Sequence, residues 1–197
     1  MMLLLTLRGT PTIYYGDELA MPDIPVPPER VRDPWEHRMP GLRLGRDPER
    51  SPMRWDTTTH AGFCPPQARP WLPMGDPSAV DPVSVQLQDP QSMLSLTRRL
   101  LRIRRLHPEL ARGSFHPIRN TPVDCLAYTR DLGSARSLVM LNLGDQPTTI
   151  EFAEYATDDL LAATHPRDHS IDLSSLILRA NEGIVIRLNG PATNRPA

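Results

Sequence analysis

Hydrophobic and polar positions change rhythm three times along the chain. Residues 1–8 are apolar on nearly every side and read as the end of a helix, stopped by Gly9 and Thr10-Pro11. Thr12-Ile13-Tyr14-Tyr15 is a short run of β-formers without alternation, the pattern of a strand buried on both faces of a parallel sheet. Residues 19–90 then show almost no periodicity. From 91 to 107 an apolar stripe at Met93, Leu96, Leu100 and Ile103 returns at helical spacing, joined by Leu94 and Leu101. Asp89 or Ser92 is placed to cap this helix, and His107-Pro108 to end it. Five arginines (98, 99, 102, 104 and 105) fall on its other face, read as solvated. Beyond residue 113 the rhythm becomes that of short strands near 114–119, 123–130, 137–143, 148–152, 158–162, 175–179 and 183–188. Turn signals such as Leu132-Gly133-Ser134 and Asn181-Glu182-Gly183 separate them, which predicts an antiparallel β-sandwich.

The chain therefore divides near residue 112. Residues 1–112 are an α/β piece with a long irregular segment, and 113–197 are a small all-β domain. Composition sharpens one point. Of 23 prolines, the Pro27-Pro28 and Pro65-Pro66 pairs and most others precede residue 91, and all three tryptophans (Trp35, Trp55, Trp71) lie in the same segment. A loop of that length is usually functional, and three large aromatic side chains predict that it packs against something. Net charge is −1, with every basic residue an arginine, so no global field points to nucleic acid or to an anionic membrane. Met1 to Leu7 is too short for a membrane span and lacks a basic leader, and no cofactor motif is present. Cys64 and Cys125 fit neither a disulfide framework nor a zinc pattern and predict reduced thiols in a cytoplasmic protein. His165 and His169 have helical ligand spacing but no third ligand, so no metal site is expected there.

Two segments carry more specific information. These are Thr6-Leu7-Arg8-Gly9-Thr10-Pro11-Thr12-Ile13-Tyr14-Tyr15-Gly16-Asp17-Glu18-Leu19 and Arg46-Asp47-Pro48-Glu49-Arg50-Ser51-Pro52-Met53-Arg54-Trp55-Asp56. In this order and spacing they resemble the α-amylase family of glycoside hydrolases, most of all its α-glucosidase and oligo-1,6-glucosidase branch. Pro34-Trp35-Glu36, Ala61-Gly62-Phe63 and Pro70-Trp71-Leu72-Pro73 fit the same branch. The resemblance implies the end of a (β/α)8 barrel, with the last strand at 12–15, its long following loop and the last helix at 91–107. An antiparallel C-terminal domain would follow. Barrel active sites are built by loops on one face, so residues 19–90 would help wall one.

Retaining glycosidases need a nucleophile and a general acid about 5 Å apart. In this family both lie on earlier strands, and the substrate-binding Asn-His-Asp motif follows the seventh strand. That motif does not occur here. The resemblance thus implies a C-terminal fragment of an α-glucosidase that hydrolyses terminal α-glucosidic bonds of short oligosaccharides, without turnover alone. The adjacent Asp17 and Glu18 are not a catalytic pair, because neighbours on a strand point to opposite faces. Arg50 is the candidate substrate-binding residue. The matching arginine of the branch reaches the innermost glucose subsite, and a guanidinium offers several fixed donors to sugar hydroxyls and to a partner carboxylate, which the resemblance implies lies outside this chain. Arg54 stands where glutamine is common, which leaves loop packing and substrate preference open. Two other readings stay open. One is a fragment of a transglycosylating relative, such as a trehalose synthase or sucrose isomerase. The other is a standalone carbohydrate-binding module, against which an unpartnered apolar start would speak.

Overall fold

The computed structural model describes residues 1–152, 157–167 and 171–189. The helices are α1 (Met2–Thr6), α2 (Pro34–Arg38), α3 (Val83–Gln86), α4 (Met93–Leu106) and α5 (Pro108–Arg112). The strands are β1 (Ser114–Pro117), β2 (Cys125–Leu132), β3 (Ala135–Asn142), β4 (Thr148–Ile150), β5 (Thr157–Ala163), β6 (Leu176–Leu178) and β7 (Gly183–Leu188). All seven expected strands are present, within a few residues of the sequence reading. The chain packs as two compact units. One joins Met1–Thr12 to the stretch from Leu96 onward, and the other is Ile13–Ser95.

In the first unit β1-β2-β3-β7-β5 form one antiparallel sheet and β4-β6 a second. Alternate residues of β3 and β7 (Leu138, Met140, Ile184, Ile186) share one core with Ile150, Leu176 and Leu178 of the small sheet. The intervening Val139 and Val185 are fully buried too, because α5 packs beside β2 and β3 and α1 beside α5. A sheet covered on both faces reads as a continuous apolar run, which is why Leu138 to Leu141 shows no alternation.

The covered side also holds polar groups. A helix as short as α1 leaves its last carbonyls without partners. Two guanidiniums supply them. Arg104 donates to the carbonyls of Leu5 and Leu7 at 2.8 and 3.1 Å, of Leu110 at 2.9 Å, and of Gly9. Fully buried Arg130 donates to those of Thr6, Leu110 and Gly113. Thr6 and Tyr128 hydroxyls meet at 2.5 Å. Arg104 thus departs from the solvated face expected for it, because the carbonyl ends beside it need a donor more than the guanidinium needs water.

The helix itself forms as expected, but Leu101, placed on its apolar stripe, is exposed. Ser92 Oγ accepts the Ser95 amide at 3.2 Å as an N-cap, and Thr97, Leu100 and Ile103 form the buried line. The strand expected at 12–15 does not form. No ladder reaches these residues, and Tyr14 and Tyr15 are exposed. Every paired strand here is antiparallel, and a parallel strand is stable only between flanking neighbours, which the described residues do not offer.

In the second unit the irregular segment is a series of one-turn helices, several begun by proline at the first position (Pro28, Pro34, Pro48). Proline suits that position because its missing N–H would be unpartnered anyway. Buried Gln86 ties the unit together. Its amide donates to the Leu19 and Asp81 carbonyls at 3.0 and 2.9 Å and accepts from the Leu94 amide at 3.0 Å. Arg54 is buried and reaches the carbonyls of Met74 and Pro77, both at 3.4 Å.

Candidate site around Arg50

Arg50 closes the one-turn helix Pro48–Arg50, with Asp47 at its N-cap. Two buried carboxylates face it. Arg50 Nη1 lies 3.6 Å from Asp33 Oδ2 and 3.8 Å from Asp47 Oδ1, while its side chain keeps one third of its surface exposed. Both distances exceed hydrogen-bonding range.

Asp33 caps α2 by accepting the Trp35 amide at 2.9 Å. Its other oxygen accepts Arg46 Nε at 2.7 Å and the Arg46 amide at 3.3 Å. The Arg46 hydrogen bond, followed by the Trp35 amide, holds the Asp33 carboxyl at about 2 against the opposing effect of burial. Asp47 Oδ2 accepts the amides of Arg32 and Asp33 at 2.6 and 2.8 Å. Its Oδ1 is buried without a hydrogen bond.

Tyr15 completes the neighbourhood. Its hydroxyl donates to the Ser51 carbonyl at 3.0 Å, and its ring lies 4.9 Å from that of Tyr14. Burial, then the Tyr14 phenol, raises its pKa, with the charge of Arg50 pulling the other way. A groove of about 750 Å³ runs beside Asp47 and Pro48, walled by Ile24, Val26, Val31 and His37 among others.

A partly exposed guanidinium with no hydrogen bond among the described residues has donors available for hydroxyl groups. Asp33 and Asp47 are buried and committed to amides and arginines. Asp17 and Glu18 sit in a one-turn helix, not on a strand, and accept the amides of Tyr14 and Gly16 at 2.9 and 2.8 Å. The strand geometry expected for this pair is therefore not the one they adopt.

The tryptophans differ from the expectation of packing. Trp35, Trp55 and Trp71 are each about half exposed. Their backbones are fixed, with Trp55 N donating to the Ala61 carbonyl at 2.8 Å and Trp71 O accepting Arg30 Nε at 3.1 Å, but their rings find little cover. Cys64 and Cys125 are both free. No cluster able to hold a metal occurs among the described residues, and His169 lies outside them. No helix among them is long and apolar enough to cross a membrane.

Asp33 and Gln86 are the residues that reading the sequence missed. An aspartate directly before a proline at a helix start is a legible cap signal, and Asp33-Pro34 carries it. Gln86 has no such signal.

The model of the α-amylase catalytic domain matches residues 1–113, so the chain belongs to the α-amylase family. It is 35% identical over 149 residues to a probable alpha-glucosidase of Rhizobium meliloti (strain 1021), covering 76% of this chain and 26% of that protein. It is 28% identical over 206 residues to the oligo-1,6-glucosidase of Parageobacillus thermoglucosidasius, covering 94% and 36%. The trehalulose synthase MutB from Pseudomonas mesoacidophila MX-45 superimposes with a TM-score of 0.81 at 26% identity, covering 95% of this chain and 37% of that one. The chain thus spans between 26% and 37% of the length of these relatives.

Proposed function

We propose that this chain contributes one wall of the sugar pocket of an α-glucosidase that hydrolyses terminal α-glucosidic bonds of short oligosaccharides in the cytoplasm. In this reading residues 1–112 are the C-terminal end of the (β/α)8 barrel, and 113–197 are the C-terminal β domain. This division concerns ancestry, whereas the two packed units follow contacts. α1 packs with the β domain because its carbonyl ends are held by Arg104 and Arg130.

The observation that carries the reading is the state of the Arg50 guanidinium: one third exposed, close enough to Tyr15 to act on it by charge, and beyond hydrogen-bonding distance of Asp33 and Asp47. Such a group recognises the hydroxyls of a neutral sugar. The half-exposed Tyr14, Trp35 and Trp55 supply apolar ring faces of the kind sugars stack on. The nucleophile and general acid of the reaction belong to parts of the relatives that this chain does not match.

Purified chain is expected to release no glucose from maltose or from an aryl α-glucoside. In an NMR titration, maltose is expected to shift the Arg50 Nε–H signal, and Arg50→Lys to abolish that response. Turnover by the chain alone, or maltose binding untouched by Arg50→Lys, would overturn the reading. A second reading, a transglycosylating relative, is favoured by the likeness to trehalulose synthase MutB. Finding a transferred glucosyl unit rather than free glucose among the products of the complete enzyme would select it.

A further inference from the structure

We infer that Asp33 and Asp47 are positioning residues for Arg50. They hold its guanidinium in place by charge while leaving its N–H groups available to a polyhydroxylated ligand. The inference rests on the reading of Arg50 as a sugar-binding residue and adds how that residue is made ready.

The argument begins with charge balance. Asp33 and Asp47 are 1% and 2% exposed, and a buried carboxylate needs compensation. Arg46 compensates Asp33 directly, at 2.7 Å. The hydrogen bonds to Asp47 come only from backbone amides, and its Oδ1 accepts none. Arg50 faces it from 3.8 Å and Asp33 from 3.6 Å, and Arg46 also acts on Asp47 by charge.

Geometry then decides what kind of hold this is. Coulomb attraction at this range falls off slowly with distance and does not depend on donor direction. A hydrogen bond would fix a donor and remove it from use. Two carboxylates near one Nη therefore restrict where the guanidinium sits without consuming its donors. The carboxylates are themselves rigid. Asp33 is locked as the cap of α2 and Asp47 by two amides of the same turn. Losing either negative charge frees the guanidinium to move, although Arg50 is untouched.

The test uses the full chain and three readouts. In the wild type, the Arg50 Nε–H order parameter is expected to stand well above that of Arg98 on the exposed face of α4, with no ligand present. Equal mobility of the two would overturn the inference, and this arm needs no variant. Asp47→Asn keeps an amide oxygen for both backbone N–H groups that Asp47 accepts and removes the charge, whereas Asp33→Asn removes the charge and keeps an oxygen for the Trp35 amide but gives up the Arg46 hydrogen bonds. Each is expected to accelerate modification of Arg50 by phenylglyoxal several-fold, read by peptide mass mapping, with Arg98 and Arg102 unchanged. Each is also expected to weaken maltose binding about tenfold, and Asp47→Glu to restore part of it.

Unchanged Arg50 reactivity in folded variants would overturn the positioning role even if maltose still binds. Faster modification of Arg50 in a chain that never binds maltose would sustain the positioning role and refute the sugar reading. If Asp33→Asn fails to fold, Asp47→Asn and the wild-type mobility decide.

Discussion

Removing the Arg130 side chain tests how the first twelve residues are held. Arg130 is fully buried and donates to the carbonyls of Thr6, Leu110 and Gly113. Leu110 O keeps a second donor in Arg104, so Arg130→Ala strips the Arg130 hydrogen bond chiefly from Thr6 and Gly113. Hydrogen bonds to a charged group contribute about 1.5–3 kcal/mol each, which puts the loss at about 3–6 kcal/mol. That is a large share of a typical domain stability of about 5–15 kcal/mol. At roughly 4 °C per kcal/mol for a unit of this size, the melting temperature should fall by about 12–24 °C. Arg130→Lys should lose part of this, since one ammonium cannot span three carbonyls as a planar fork does.

The more diagnostic assay is amide hydrogen exchange at Leu5 and Leu7, whose N–H groups bond to the carbonyls of Met1 and Leu3. A five-residue helix is not stable by itself, so any protection of these amides comes from docking. Arg130→Ala should abolish that protection at temperatures where β3 and β7 remain protected. A variant that melts within about 1 °C of the wild type would refute the account, because it would mean that carbonyls losing a buried ionic donor cost almost nothing.

Two other outcomes follow from the packing and the charges. Leu138→Ala deletes a fully buried side chain from the core shared by the two sheets and should cost about 2–5 kcal/mol in urea unfolding. A loss under about 1 kcal/mol would mean the core collapses to fill the space. Asp33 has its pKa lowered from 3.8 to about 2 by Arg46 and the Trp35 amide, so its contribution is present above pH 4 and disappears as pH falls toward 2. Acid titration of the wild type between pH 5 and 2 should therefore lose more stability than that of Asp33→Asn, and identical acid limbs would remove Asp33 from the account.

The β domain was legible because its signals are local. Each turn cluster, such as Gly133 between β2 and β3, sits between two runs of β-formers, whereas the pairing of β3 with β7 joins distant segments and was not legible. The long segment was legible only as irregular, since nothing periodic distinguishes a one-turn helix at Pro48 from any other proline turn. Residues 12–15 misled for a physical reason. Composition reports what a strand would need if it had neighbours, and pairing is a property of those neighbours. Arg104 misled in the same way. Its place on the polar face of α4 was read correctly, but a long side chain can turn its head toward unpartnered carbonyls one element away. Arg50 was singled out through family resemblance. The carboxylates that hold it, Asp33 and Asp47, are separated from each other by an irregular stretch whose closure no periodicity predicts.

In a chain without lysine, arginine fills structural and functional posts alike, so the residue type alone separates nothing. Partners do separate them. Arg130 and Arg104 have their donors on main-chain carbonyls. Arg54 and Arg30 tie loop carbonyls in the second unit. Arg167 grips buried Glu182 with two nitrogens. In each case guanidinium donors are spent on the fold, although the Nε of Arg54 and of Arg130 is buried without a partner. Arg50 differs in kind. It is held by charge at 3.6 and 3.8 Å, it keeps a third of its surface, and its donors are not committed. A guanidinium used only as a tie would close those distances to about 2.8 Å and gain a charge-assisted hydrogen bond. Remaining outside that range next to two carboxylates is what a group needs if it must be located before its ligand arrives and still have bonds to offer when it does.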